Sequence, residues 1–193
     1  MLTRNFQRAQ RGIPRELAAD QAGAGAKPRR RRSDPLLKSW SMTLPFEYQN
    51  PTLQFERFMV DARDCAGLPT TNMAWNMVVG VLHAFRWRLS VPQALSFAAV
   101  LPPMVRALFI EDWDLAQTVR PFGEAADWLA DVRSVRHRHN FSPPDAVASV
   151  ATALRRHVDE LAFERVLANL PPQARRYWQP KTACAEEAGS KLL

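Results

Sequence analysis

The stretch Leu101-Pro102-Pro103-Met104-Val105-Arg106-Ala107-Leu108-Phe109 returns 69 positions later as Leu170-Pro171-Pro172-Gln173-Ala174-Arg175-Arg176-Tyr177-Trp178. A proline disfavours the helical region at the residue before it, yet is well placed in the first turn of a new helix. Each copy therefore predicts the same corner. One helix ends at the leucine, the chain turns at the prolines, and a short helix restarts and ends on an aromatic residue. What precedes each corner also repeats: Ala74, Val78 and Leu82 match Ala146, Val150 and Leu154 at an offset of 72. The drop from 72 to 69 places a three-residue shortening in the second copy. The spacing predicts two similar helical units.

Apolar periodicity fills in the elements. Asn50-Pro51 starts a first helix, with Asn as N-cap and Pro at the first helical position, and Gly67 suits its C-terminal left-handed residue. After Thr70-Thr71, Ala74, Met77, Val78, Val81, Leu82, Phe85 and Leu89 form one stripe at i, i+3, i+4 spacing. Trp75, Val79 and Trp87 lie off that stripe, so either the second unit covers them, which is the favoured reading, or they form a candidate interaction surface for another chain. Ser90 and Gln93 have the spacing of a capping box before a third helix. A fourth runs from Met104 to Ile110. A fifth carries Trp128, Leu129, Val132 and Val135 and is expected to stop near Asn140. Ser142-Pro143-Pro144-Asp145 reads as the start of a sixth, and Asp159 as the cap of a seventh. An eighth follows the second corner and ends at Trp178. No strand-like alternation of any length occurs. A unit of about 60 residues is marginal alone, so both units are expected to share one core, with Leu101, Pro102, Trp113, Leu170 and Pro171 in structural roles.

The expected fold is therefore all-α, two tandem four-helix units sharing one core. The expected divisions are a disordered basic extension over 1–45, a first helical unit over 46–118, a second over 119–180, and a flexible tail over 181–193.

Charge is distributed unevenly. Residues 1–41 hold 10 Lys/Arg against 3 Asp/Glu, while residues 42–193 hold 16 of each. The whole net charge of +7 thus belongs to the N-terminal segment. Lys27, Arg29, Arg30, Arg31 and Arg32 repel one another and stay solvated. Three readings suit this segment: an unstructured extension from a start assigned upstream of Met42, a tether for nucleic acid or an acidic membrane surface, or a cleaved organellar presequence. As a polyanion contact the cluster would be weak and non-specific.

Chemistry-bearing motifs are sparse. His137 and His139, at i, i+2 on a helix, would point about 200° apart, and zinc needs three or four converging ligands. Asp112 and Asp114 flank Trp113 but lack the further oxygens and closing glutamate of a calcium loop. There is no glycine-rich phosphate loop and no G-x-S-x-G nucleophile motif. Arg155-Arg156-His157 suits phosphate, yet Asp159, Glu160 and Glu164 lie within two turns and balance it. Cys65 falls on a core position. No catalytic, metal-ligating or cofactor-binding residue is assigned, and no cofactor is expected. The start of the chain has no apolar run of the kind that makes a secretory signal, and no run approaches 18 apolar residues.

The Leu-Pro-Pro-x-x-Arg corner, the Trp113-Asp114 pair, the second unit with His139-Asn140-Phe141-Ser142, and the second Leu170-Pro171 together resemble the bacterial family known as domain of unknown function 2267. The resemblance spans about residues 50–179. It implies a compact all-helical fold in a bacterial cytoplasm, and no activity, cofactor or site residue to carry over. The reading from sequence is a cytoplasmic, monomeric, non-enzymatic interaction or scaffold module with an unknown protein partner. The first rival is a nucleic-acid-associated protein acting through the basic tail. The second is an enzyme with a site between the two units.

Overall fold

The computed structural model describes residues 45–181. Among them it has nine helical segments and no strand. In chain order these are α1 (Phe46–Gln49), α2 (Pro51–Cys65), α3 (Thr71–Arg86), α4 (Val91–Ala99), α5 (Pro103–Ile110), α6 (Ala125–Ser134), α7 (Ala146–Arg155), α8 (Glu160–Ala168) and α9 (Pro172–Tyr177). The expectations for the N-terminal extension and for the tail after Lys181 fall outside the described residues.

The caps follow local chemistry. α2 closes on Gly67, whose φ of +63° only glycine adopts without strain. Gly67 N donates to Asp64 O and Leu68 N to Arg63 O, which is a complete Schellman closure. Thr70 Oγ1 accepts from Met73 N to start α3. Gln93 Oε1 accepts from Ser90 N at 2.9 Å to start α4, and Asp159 Oδ1 accepts from Ala162 N to start α8.

Two boundaries differ from expectation, for one reason. α6 ends at Ser134 rather than near Asn140, and α7 starts at Ala146 rather than beside Ser142. Asn140 is buried and takes over both ends. Its Nδ2 donates to Val132 O and Val135 O, carbonyls that a longer α6 would have used, and to Asn76 O on α3. Its Oδ1 accepts from Ser142 N and from the Ser142 hydroxyl, so that serine holds the asparagine instead of capping a helix.

α3 is the central helix and packs against α2, α5, α6 and α7. α2 lies on α7, and α4 lies on α8. Close approach of α3 and α6 depends on Gly80, where an added Cβ would stand 2.6 Å from Val132 O. The centre of the core is aromatic. Phe85, Phe97, Phe163, Tyr177 and Trp178 come from α3, α4, α8 and the end of α9, with ring centroids 4.7–5.9 Å apart. Both halves thus meet in one core. The Tyr177 hydroxyl donates to Val81 O at 2.9 Å, and burial pushes that phenol well above its usual range.

The two corners have nearly the same backbone. Pro102 has φ −55° and ψ 149°, and Pro171 has −52° and 145°. Leu101 and Leu170 are both buried behind them.

Candidate functional site

A cleft of about 600 Å³ opens between α2, the first corner and the link from α7 to α8. Each wall has a local cause. Pro102 and Pro103 turn the chain, and Arg106 locks the turn. Its Nε donates to Ala98 O at 2.8 Å, and its Nη2 to Ala99 O and Leu101 O at 3.2 and 2.9 Å. These carbonyls lie at the end of α4 and in the corner just past it, where helical pairing runs out. On the opposite wall, α7 ends at Arg155 and the chain passes through Arg156, His157 and Val158 before Asp159 caps α8. Phe55 and Phe58 of α2 supply an apolar floor.

His157, which lines the cleft, is held by Asp61, a residue 96 positions away that is not part of the lining. His157 Nε2 lies 2.6 Å from Asp61 Oδ2. A carboxylate only accepts, so this nitrogen carries the proton and donates. Arg156 Nη1 lies 3.5 Å from Asp61 Oδ1. The imidazole stands edge-on to Phe58, with centroids 5.8 Å apart. Arg57, Arg106 and Arg156 make the rim cationic; the one acid on the lining, Asp159, caps α8, and Asp61 is engaged by His157. Among the lining residues there is no serine, threonine, cysteine, lysine or tyrosine.

The sequence profile of the family described as "Uncharacterized conserved protein (DUF2267)" matches residues 55–177. The chain belongs to this family. The DUF2267 match runs from within α2 to the end of α9, so it takes in both corners and all of the cleft lining except Pro51 and Gln54. No curated protein matches the chain.

The residues singled out from sequence are scattered over this DUF2267 domain. Val79 is buried. Trp75 is half-buried under Phe55, with rings edge-on at 5.8 Å. Trp87 is half-buried under Arg120, whose guanidinium lies 4.2 Å from the ring centre. The three do not form a common exposed patch. Trp113 is half-buried, with the Arg86 guanidinium 5.5 Å over its ring. Asp112 and Asp114 are exposed; Asp112 has φ +50°, and Asp114 Oδ1 accepts from Ala116 N. His137 and His139 lie exposed on the turn after α6, not on a helix. Among the described residues no group of three or more His, Cys, Asp or Glu could hold a metal. Lys27, Arg29, Arg30, Arg31 and Arg32 lie outside the described residues. No helix among those described is long and apolar enough to cross a membrane.

Sequence reasoning missed Asp61 altogether and set Arg156 and His157 aside as part of a balanced face. Nothing local signals their meeting. Asp61 occupies an ordinary polar position on α2, and only the packing of α2 on α7 brings the imidazole to it.

Proposed function

We propose that the DUF2267 domain is a monomeric, non-enzymatic binding module that takes an acidic, partly apolar peptide segment of a partner protein in the cleft. The cleft's chemistry carries this reading: an aromatic floor, a rim of Arg57, Arg106 and Arg156, and no lining nucleophile. Met104 on the lining adds apolar surface at 38% exposure. A cationic rim attracts an acidic segment and sets its register, while the apolar floor adds affinity. The test is anisotropy of a labelled amphipathic Glu/Leu peptide titrated with the full chain. Binding should weaken about tenfold for each of Arg57→Glu and Arg156→Glu, about 1.4 kcal/mol apiece. A Lys/Leu peptide that bound equally well would overturn the assignment.

A second reading has one observation in its favour. Asp61 and His157 form an oriented carboxylate–imidazole pair whose imidazole lines the cleft, the arrangement used for general-base chemistry. With no side-chain nucleophile on the lining, the reaction would be water attack assisted by His157 Nδ1. Hydrolysis of activated esters that disappeared in His157→Gln but survived in Arg57→Glu would favour it over peptide binding.

A further inference from the structure

Two arginines do the same structural work in the two halves. Arg86 ends α3 and its Nη1 donates to Phe109 O at 2.5 Å. Arg155 ends α7 and donates to Trp178 O from Nε and Nη2 at 3.3 and 3.2 Å. Arginines and acceptors are both 69 positions apart. Each guanidinium also lies over a ring, Trp113 for Arg86 and Phe163 for Arg155.

Their counter-charges differ. Arg155 meets Glu160 and Glu164, both at 2.6 Å. The residues 69 positions before those glutamates are Val91 and Leu95, which are exposed and apolar. Arg86 is only 2% exposed, yet among the described residues no carboxylate stands within ion-pair distance of it. Asp112 acts on it only from farther away. Its Nε is buried and meets no acceptor among the described residues. Burial lowers this guanidinium to about 10. Its Nη1 also donates to Glu111 O at 2.9 Å, so backbone carbonyls and a ring hold this charge in place of a carboxylate, and a buried cation without an ionic partner is costly.

Beside it lies a cavity of about 60 Å³, lined among others by Arg86, Trp87, Val91, Trp113, Gln117 and Thr118. That is room for a few waters, at roughly 10–15 Å³ each on this measure, and so for one carboxylate group. Gln117 and Thr118 bring further side-chain donors to the same lining. We propose that this cavity binds a small free carboxylate, which supplies to Arg86 the counter-charge that Glu160 and Glu164 supply to Arg155. The site is separate from the cleft and does not depend on the peptide-binding reading.

The experiment uses thermal melts of the full chain in sodium acetate, in acetamide, and in sodium chloride at matched ionic strength. Acetate alone should raise Tm saturably, with a half-maximum on the order of millimolar. The Arg86 Nε–H resonance should shift with acetate and not with acetamide. Val91→Glu places a carboxylate where α8 has Glu160; this variant should melt higher than the natural chain and lose the acetate response. Equal effects of acetate and chloride would overturn the proposal, as would an undiminished acetate response in Val91→Glu.

Discussion

Arg88 Nη2 and Asp131 Oδ2 stand 2.6 Å apart, and the arginine side chain is 2% exposed against 20% for the aspartate. The other oxygen of Asp131 takes Arg120 Nη1, also at 2.6 Å. Arg88 further donates to Ala84 O and Phe122 O. One carboxylate on α6 therefore neutralises a buried cation just past the end of α3 and pins the loop that carries Arg120. Replacing Asp131 with Ala leaves Arg88 buried and unpaired, a change that costs about 3 kcal/mol in comparable cases. Urea unfolding should show the loss, and Arg88→Met combined with Asp131→Ala should recover part of it.

His83 sets a pH dependence. Its Nε2 donates to Leu108 O at 3.0 Å. Burial first, then the nearby Arg86 charge, lowers its pKa to about 4, against the raising effects of the Leu108 carbonyl and Asp112. The folded state thus resists a proton that the unfolded chain accepts near 6.5. Stability from this group is complete above pH 6.5 and declines as pH falls toward 4. The slope is about 1.4 kcal/mol per pH unit, and the total about 3 kcal/mol. Urea midpoints at pH 7 and pH 5 should differ more for the natural chain than for His83→Gln, which lacks the titrating ring. Equal differences would exclude His83 as the source.

The corners test the internal duplication. We read residues 46–118 and 119–180 as two copies of one unit. Matching corner dihedrals support this, as do the paired arginines Arg86 and Arg155, and so does the exchange of partners in which α2 lies on α7 while α6 lies on α3. Leu101 and Leu170 are 2% and 8% exposed. Each Leu→Ala change should cost about 2–5 kcal/mol, and one cooperative transition should remain in each variant, because the core is shared. Calorimetry that resolved two transitions would contradict a single core.

The basic N-terminal segment makes a separate prediction. Residues 42–193 carry equal numbers of Lys/Arg and Asp/Glu, so they should not bind duplex DNA measurably at 150 mM salt. The cluster of Lys27 and Arg29–Arg32 supplies about five phosphate contacts at most, each contributing roughly −0.9 to the log–log salt slope. Binding by the full chain should be weak and should vanish when residues 1–41 are removed. A shortened protein with the same salt slope would move DNA recognition to the folded domain.

Local signals were legible where a single residue type does a local job. Gly67 had to end α2, Gln93 had to close on Ser90, and Asp159 had to cap α8, because each bonds within four residues of itself. The same reasoning misread Ser142, whose hydroxyl is claimed by Asn140, and Val135, whose apolar spacing continued a helix that Asn140 had already ended. Both errors come from one buried amide that answers to three segments at once. The Asp61–His157 pair and the contrast between Arg86 and Arg155 were out of reach for the same physical reason. Their meaning lies in which helices pack together, and periodicity reports which face is buried but not against what.

The position of Trp178 has a consequence for how the chain is made. This ring is wholly buried and touches Phe85, Phe97 and Phe163, yet it follows every helix among the described residues. Chains leave the ribosome at about 5–20 residues per second, so α3 and α4 must wait on the order of ten seconds with their aromatic faces uncovered. A nascent chain that stops before α9 holds nearly all of its described helices but lacks Tyr177 and Trp178, the two rings that pack against Phe85 from the end of the chain. Such a fragment exposes Phe85 and Phe97 to whatever apolar surface it meets, which makes it a client for chaperones and a target for proteases. Completion of the last short helix is what brings Tyr177 and Trp178 onto those rings.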